Sequence, residues 1–222
     1  PAYYALLELI SRAGGLALQV PCGLDTGPDP GAVEACLARW RPKCLVVCSS
    51  LSNPSGATVP EEARGRIVES CRRHGVRLIE DEIYADLRDD GGGRPMLAHD
   101  DGSAVSLVSS FSKTVAPGLR IGCAVPGDLF EPFVRRKCIE DIHGAAIAEA
   151  TVAEFLGRGC LGPHLERLRQ FYAARRRLAR EAVLRSFPEG TEVGSPIGGF
   201  VLWVRLSVGI DLDAIHARAM GA

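Results

Sequence analysis

Short apolar runs alternate with stretches of helical periodicity in the first half of the chain, and this alternation constrains the fold most. Near-continuous apolar runs are typical of strands buried on both faces of a sheet. Such runs predict strands over Leu16–Val20, Cys44–Cys48, Val76–Glu80, Val105–Ser109 and Ile121–Val125. The intervening patterns predict helices over Tyr3–Ser11, Gly31–Trp40 and Glu61–His74. The alternation therefore predicts an α/β fold with a mainly parallel sheet sandwiched by helices.

Beyond the last of these strands the pattern changes to long helices and a small strand pair. Helices are predicted over Asp128–Glu140, over Ala145–Leu156, from about Pro163 to Arg185, and again from about Asp211. Two short segments between the last two helices predict an antiparallel pair, namely Thr191–Val193 and Phe200–Arg205. We therefore expect part of a large ligand-binding domain over residues 1–162. Residues 163–222 are expected to form a connecting helix and part of a small α+β domain.

Both ends of the sequence influence this expectation. The chain starts at Pro1 without a methionine and stops at Ala222 within a helical pattern. We therefore expect both domains to be truncated and the sequence to be a fragment of a longer protein.

Charge and cysteine usage favour a cytoplasmic protein without a membrane segment. The formal net charge is −1, which gives no general attraction to nucleic acid or membranes. Arginines crowd the predicted helix after Pro163, but Glu166 and Glu181 interleave with them, so a solvated helix face is favoured over a nucleic-acid surface. The eight cysteines include no Cys-x-x-Cys pair, which favours reduced thiols. No apolar run reaches membrane length, and the histidines lack metal-ligand spacing.

Four short polar segments carry the chemistry. They are Ser52-Asn53-Pro54-Ser55-Gly56, Asp81-Glu82-Ile83-Tyr84, Ser109-Ser110-Phe111-Ser112-Lys113 and Pro117-Gly118-Leu119-Arg120. Alone, each is ordinary: a turn, a helix cap, a surface lysine or a loop arginine. The first three, however, each follow a predicted strand, and ligands of open α/β sheets bind at the carboxyl ends of the strands. We therefore expect these side chains to meet at one edge of the sheet.

The order and spacing of these segments resemble a known family. Asn-Pro-x-Gly, Asp-x-x-Tyr, Ser-x-x-Lys and a following arginine are similar to the motifs of fold-type I pyridoxal-phosphate enzymes of aminotransferase class I/II. The resemblance covers essentially the whole chain, about the middle half of such a catalytic domain. It implies an aspartate aminotransferase-like fold, pyridoxal 5'-phosphate as the cofactor, and a homodimer, because the family builds its site at a dimer interface.

The resemblance also implies roles for single residues. Lys113 would hold the cofactor as a Schiff base and carry protons. Asp81 would keep the ring nitrogen protonated by charge pairing, and Asn53 and Tyr84 would donate hydrogen bonds to the phenolic oxygen of the ring. Lys113, Asp81 and Tyr84 are therefore the predicted catalytic residues.

Three further residues are implied for cofactor binding. Ser110 and Arg120 would hold the phosphate, and Tyr3, in Pro1-Ala2-Tyr3, would stack on the ring. Two pieces of the family site have no match: a phosphate-binding turn at a helix N-terminus, expected upstream of Pro1, and an arginine for the substrate carboxylate, expected downstream of Ala222.

Within this group, three stretches resemble MocR-type regulators of the GntR superfamily, in which an aminotransferase-like domain follows a winged helix-turn-helix domain. The stretches are Leu78–Tyr84, Ser110–Arg120 and Gly198–Val204. The first hypothesis is therefore an effector-sensing domain, with DNA bound only through an upstream domain. The second hypothesis is an active aminotransferase that exchanges an amino group between an amino acid and a 2-oxo acid. A third is that the fragment is inert because its sheet lacks flanking strands.

Overall fold

The computed structural model describes residues 2–207 and 209–221, and it has the predicted α/β architecture. Most elements form where the local pattern places them, within one or two residues. In chain order the elements are α1 (Tyr4–Arg12), β1 (Cys22–Gly23), β2 (Gly27–Pro28), α2 (Pro30–Trp40), β3 (Cys44–Cys48), α3 (Glu61–His74), β4 (Arg77–Asp81), β5 (Val105–Ser110), β6 (Gly122–Val125), α4 (Phe130–Glu140), α5 (Ala146–Gly157), α6 (Leu161–Ser186), β7 (Glu192–Val193), β8 (Val204–Arg205) and α7 (Leu212–Met220).

The central sheet has the strand order β3-β4-β5-β6. The first three strands are parallel, and β6 runs antiparallel to β5 at the edge, so the predicted mainly parallel sheet is confirmed. In the register Cys48 lies opposite Asp81, and Asp81 lies opposite Val108. The carboxyl ends of the three parallel strands therefore reach the same edge of the sheet.

The strand predicted over Leu16–Val20 is wrong. This segment joins no strand of the described chain, and its Leu16 side chain is 93% exposed. Instead, β1 and β2, two residues each, pair as a short antiparallel hairpin just after this segment. An apolar run becomes a strand only where a neighbouring strand offers backbone partners, and local composition does not contain that information.

The predicted antiparallel strand pair is confirmed in its position but is shorter than predicted. β7 pairs antiparallel with β8, and of the predicted segment Phe200–Arg205 only the last two residues join the ladder. The domain boundary predicted between residues 162 and 163 stays a prediction, although α6 begins close to it, at Leu161.

The main core lies between the central sheet and the helices α2 and α3. Its most buried members include Val33 and Leu37 of α2, Ile67 of α3, Leu78 of β4 and Val105 of β5. Helix caps place both helices accurately. The Asp29 carboxylate accepts a hydrogen bond from the Ala32 amide (2.7 Å) at the start of α2, and Gly75 ends α3 in the left-handed conformation.

Apolar side chains of β5, β6 and α4 remain exposed on another part of the surface. They include Val108, Val125, Phe130 and Phe133, each between 38% and 57% exposed. Exposed apolar surface of this kind favours association or instability. No helix in residues 2–207 and 209–221 combines the length and the apolar character needed to cross a bilayer.

Truncation of the core leucine Leu78 to alanine is expected to destabilise the full-length protein by about 2–5 kcal/mol, because it deletes fully buried methyl groups and leaves a cavity. The measurement is the free energy of unfolding from urea titration. The matched control is Leu16→Ala, at a side chain that is 93% exposed, and it is expected to change this free energy by less than about 0.5 kcal/mol. Equal losses in the two variants would contradict the core described above.

Candidate functional site

The site lies at the edge where the parallel strands β3, β4 and β5 end. Adjacent strands lie about 4.8 Å apart. The Glu82 amide donates a hydrogen bond to the Val108 carbonyl (2.9 Å), and the Ser109 hydroxyl donates one to the Glu82 carbonyl (3.3 Å). These bonds extend the β4–β5 pairing to the edge itself. The polar segments that follow the strands therefore begin side by side, as the sequence predicts.

Asp81 is the last residue of β4 and lies half-buried at this edge. Its carboxylate accepts a hydrogen bond from the Ile83 amide (3.0 Å) and forms no ion pair within residues 2–207 and 209–221. Burial raises the pKa of Asp81, and the amide lowers it only in part. The neighbouring Cys48 is half-buried, and desolvation of its thiol together with the charge of Asp81 raises its pKa to about 12, so the thiol stays neutral. Asp81 is therefore a carboxylate that a nearby cation would stabilise.

Asn53 and Tyr84 meet at the same edge. The Asn53 side-chain amide donates a hydrogen bond to the Tyr84 hydroxyl over 3.3 Å. Burial raises the pKa of the Tyr84 phenol, and the bond from Asn53 lowers it in part. The Tyr84 ring is only 6% exposed and packs edge-on against Phe200, with 5.7 Å between ring centroids. Two polar groups from different strand ends are thus held together by packing.

A second polar group forms in the loop between β5 and β6. The Arg120 guanidinium donates to the Ser112 hydroxyl (3.1 Å), and the Ser112 amide donates to the Ser110 hydroxyl (3.1 Å). A hydrogen bond from the Phe111 amide to the Ile121 carbonyl (3.0 Å) closes the loop. Two hydroxyls and a guanidinium in this arrangement are suited to an anion such as a phosphate.

Ser112 is the residue that sequence reasoning missed. It lies between Ser110 and Arg120 in the hydrogen-bonded chain and is 8% exposed. The signal was present, because hydroxyls two residues apart in a turn can bond to each other and to the backbone. Only the folded loop shows that Ser112, rather than Ser110, receives the bond from Arg120.

Lys113 directly follows this serine and is half-buried. Its backbone lies in a turn fixed by hydrogen bonds from the Val115 and Ala116 amides to the Phe111 carbonyl (2.9 and 3.2 Å). The Lys113 amine makes no hydrogen bond or ion pair with any residue that the structure describes. An amine at a fixed position beside an anion-binding loop can react with a ligand that the loop holds.

Tyr3 differs from the other predicted site residues. It caps the start of α1, is 47% exposed, and contacts the ring of Tyr4 at 4.8 Å between centroids. Within the described part of the chain no hydrogen bond or ring contact joins it to the other six predicted residues. Its role in stacking therefore stays a prediction. Pro1, which precedes Tyr3 in the matched stretch, lies outside the described residues.

The segment 197–200 docks onto the chain just after Tyr84. The Gly199 amide donates to the Leu87 carbonyl (2.9 Å), and the Asp89 amide donates to the Ile197 carbonyl (2.8 Å). A Cβ on Gly198 would overlap the Leu87 carbonyl oxygen, so only glycine fits at this position. The docked segment places Phe200 against the Tyr84 ring.

The arginine-rich face of α6 is more than the solvated surface that its charge pattern predicts. Arg176 donates to the Gly199 carbonyl and to the Asp89 carboxylate, and Arg169 donates to the Asp86 carbonyl (3.0 Å). The predicted solvated face is therefore wrong for these two arginines, whereas the preference for it over a nucleic-acid surface stays a prediction. They hold α6 against the segment that carries the site, which charge periodicity alone does not reveal.

Known proteins are similar to this chain in both sequence and fold. The family model for aminotransferase class I and II matches residues 1–215. The HTH-type transcriptional regulator YjiR of Escherichia coli is 28% identical over 97% of this chain and 46% of its own length. The 2-aminoadipate transaminase of Thermus thermophilus is 31% identical over 99% of this chain and 56% of its own length. The chain thus spans about half the length of these relatives.

Solved structures agree with the sequence matches. The α-aminoadipate aminotransferase LysN of T. thermophilus, complexed with N-(5'-phosphopyridoxyl)-L-leucine, superposes with a TM-score of 0.89 at 30% identity over 100% of this chain and 58% of its own. The kynurenine aminotransferase of Pyrococcus horikoshii gives a TM-score of 0.92 at 28% identity over 100% of this chain and 56% of its own. The predicted fold and family resemblance are confirmed. The chain belongs to the aminotransferase class I and II family.

Proposed function

We propose that this chain is a pyridoxal-5'-phosphate-binding domain that senses an effector for a MocR/GntR-type transcriptional regulator. The observation that carries the cofactor assignment is that Asp81 ends β4 and Lys113 follows the end of the adjacent strand β5, at one edge of the sheet. The regulatory assignment is supported by YjiR and by a second E. coli regulator, YdcR, which is 28% identical over 99% of this chain and 47% of its own length.

The donor set fits the chemistry of the cofactor. When bound, the cofactor supplies a cationic pyridine ring that withdraws electrons from the α-carbon of an amino acid. Asp81 would hold a proton at the ring nitrogen, and this cation would in turn lower the raised pKa of the Asp81 carboxyl. Asn53 and Tyr84 would orient the ring through its phenolic oxygen.

The remaining residues would anchor the phosphate of the cofactor, form the covalent bond to it and stack on its ring. Ser110, Ser112 and Arg120 would bind the phosphate, which takes hydroxyl donors and a planar guanidinium well. Lys113 would bind the cofactor covalently through its amine and move a proton at the α-carbon of a bound amino acid. Tyr3 would stack on the ring face.

The same site supports an alternative, an active aminotransferase. Every predicted catalytic position within the chain is filled, and the 2-aminoadipate transaminase of T. thermophilus is 31% identical over 225 residues. In either function the small ligand would be an amino acid or a 2-oxo acid, and a homodimer would be the assembled form. DNA would be bound only by a domain outside this chain.

Cofactor binding is expected to change DNA affinity if the regulatory function is correct. The measurement is fluorescence anisotropy of the full-length protein with the DNA upstream of its own gene, with and without pyridoxal 5'-phosphate. The expected change is roughly 5- to 150-fold in Kd, the usual size of a coupling between two sites. The shift should be absent in Lys113→Ala and present in the control Lys43→Ala, at an exposed lysine.

The two functions separate in a second assay. Amino acids are added to the cofactor-loaded protein, and formation of the 2-oxo acid is followed. Sustained turnover with a second 2-oxo acid, together with no effect on DNA affinity, would reject the regulator in favour of the enzyme.

A further inference from the structure

A buried polar network lies beneath the two segments that carry part of the site, residues 49–53 and 81–84. Side chains along a strand alternate between the two faces of the sheet. Glu80 and Glu82, which flank Asp81 in the sequence, therefore project to the face opposite Asp81. The network, called here the buried network, consists of Arg64 of α3 with Glu80, Glu82, Ser49 and Ser50. The exposed fractions of its five members lie between 0% and 6%.

Arg64 connects both segments to α3. Its guanidinium donates to the Ser49 carbonyl (3.0 Å), the Ser50 hydroxyl (2.9 Å) and the Glu82 carboxylate (3.3 Å). It also donates to the Val59 and Arg94 carbonyls, at 3.0 and 2.8 Å. One buried side chain therefore holds the start of the segment that leads to Asn53 and the residue that follows Asp81.

The Ser49 hydroxyl lies between two carboxyl groups, those of Glu80 and Glu82. It is 2.7 Å from a Glu80 carboxyl oxygen and also in hydrogen-bond contact with Glu82. A hydroxyl has one proton to donate, so both contacts are hydrogen bonds only if one carboxyl group is protonated and donates to the hydroxyl. Both carboxyl oxygens of Glu80 already accept backbone hydrogen bonds, from the Met96 and Leu97 amides (2.6 and 3.0 Å). The proton therefore belongs to Glu82.

The charges around Glu82 agree with this assignment. Arg64 is the cation in direct contact, Glu80 is a like charge, and the Cys48 thiol is neutral. Arg88 interacts electrostatically with Glu82, but its guanidinium forms an ion pair with Asp90. Burial, followed by the charge of Glu80, raises the pKa of Glu82 to about 7, against the contacts with Ser49 and Arg64, which lower it.

We propose that the buried network, with one proton held on Glu82, positions the two site segments for the cofactor. The inference rests on the proposed function, because it takes these segments to be the cofactor-binding edge. When Glu82 loses its proton, two buried carboxylates share one guanidinium, and the network loosens. Arg64, Glu80 and Glu82 are positioning residues, since they act through Asn53, Asp81 and Tyr84 rather than on the cofactor itself.

The sign of the pH effect follows from the raised pKa. An unfolded glutamate titrates near about 4.3, so between that pH and about 7 the folded protein holds a proton that the unfolded chain has lost. This contribution to stability is complete below the unfolded pKa and is lost as the pH rises through about 7. Glu82→Gln keeps a neutral side chain of the same shape and removes the titration.

The first test is urea unfolding of the full-length apoprotein between about pH 5 and 8. The unfolding equilibrium constant of the wild type is expected to rise, relative to that of Glu82→Gln, by up to roughly tenfold per pH unit below pH 7. Glu62→Gln, at an exposed carboxylate of the same helix as Arg64, should keep the pH dependence of the wild type. Parallel pH profiles for wild type and Glu82→Gln would overturn the assignment of the proton.

The second test is amide hydrogen exchange of residues 49–53 and 81–84 in the same apoproteins. At about pH 8 exchange in both segments is expected to be several-fold faster in the wild type than in Glu82→Gln, and equal at pH 6. If Glu82→Gln loses the pH dependence of unfolding but exchanges both segments at the wild-type rate at pH 8, the positioning role is overturned. Arg64→Lys should speed exchange at both pH values, because one ammonium group cannot reach the five acceptors of the guanidinium.

Cofactor affinity separates this inference from the proposed function. The Kd for pyridoxal 5'-phosphate is expected to weaken several-fold more in the wild type than in Glu82→Gln when the pH is raised from 6 to 8. A wild type that binds no cofactor at either pH rejects the proposed function, while unfolding and exchange still decide the buried network. If cofactor affinity weakens equally in the wild type and Glu82→Gln, and amide exchange is also equal, the role of the buried network is overturned while the proposed function stands.

Discussion

Lys113→Ala is expected to eliminate the covalently held cofactor and to slow any reaction with amino acids by roughly 10²–10⁴-fold, the usual contribution of a positioned acid–base group. The amine lies on a turn fixed by the Val115 and Ala116 amides, beside the loop of Ser112, and removing it leaves the turn intact. The measurement is the visible absorption spectrum of the full-length protein with pyridoxal 5'-phosphate. The band of the covalent adduct is expected in the wild type and absent in the variant.

The chain offers two matched controls for this experiment, because it contains three lysines in all. Lys43→Ala and Lys137→Ala remove exposed amines, and both are expected to retain the band. Borohydride reduction followed by peptide mapping should place the cofactor on Lys113. A label on Lys43 or Lys137, or an unchanged band in Lys113→Ala, would remove the residue on which the cofactor assignment depends.

Asp81→Asn is expected to reduce reactivity with amino acids by roughly 10- to 10³-fold, because a carboxylate paired with a cation shifts the protonation of its partner by about one to three pKa units. Without this charge the ring nitrogen would lose its proton and withdraw electrons less well. The measurement is the rate of 2-oxo acid formation by the cofactor-loaded full-length protein. Asp86→Asn, at an exposed carboxylate in the following turn, is the control and should react at the wild-type rate.

Asp81→Asn is expected to lower the reactivity of the loaded protein without lowering the stability of the apoprotein. Burial raises the pKa of Asp81 in the folded apoprotein, so the ionised carboxylate opposes folding once the pH exceeds its unfolded value. Asp81→Asn removes that cost, and the apoprotein is expected to be at least as resistant to urea at neutral pH as the wild type. A variant that is both less stable and less reactive would indicate a structural role for Asp81 instead.

The position of the site was accessible from the sequence because it follows from local rules. Asn53, Asp81 and Ser110 each lie at or after the end of a buried apolar run, and parallel strands bring such positions to one edge. The spacing from Ser110 to Lys113 and Arg120 then placed them in the loop that closes back onto β6. The roles of these residues are implied by the family resemblance in their order and spacing, and the direction of the strands explains only why they meet at one edge.

The errors and omissions have a different origin. Leu16–Val20 has the composition of a strand but no partner in the described chain, and Arg169 and Arg176 have the pattern of a solvated face but contact distant carbonyls. Ser112 and Arg64 look like ordinary polar residues of a turn and a helix. In each case the outcome depends on a contact, present or absent, that the local sequence pattern does not specify.

The sequence by itself therefore determined most of the secondary structure and the residues that follow the strand ends, because periodicity and turn chemistry act over a few residues. The order and spacing of the four motifs indicated the family. Only the tertiary structure decided which apolar run gained a strand partner and which charges became buried. The network of Arg64, Glu80 and Glu82 joins α3 to β4 across 18 residues or fewer of sequence, yet its burial depends on the whole sheet. Desolvation is a property of the surroundings of a group, and it sets the charge state beneath the site.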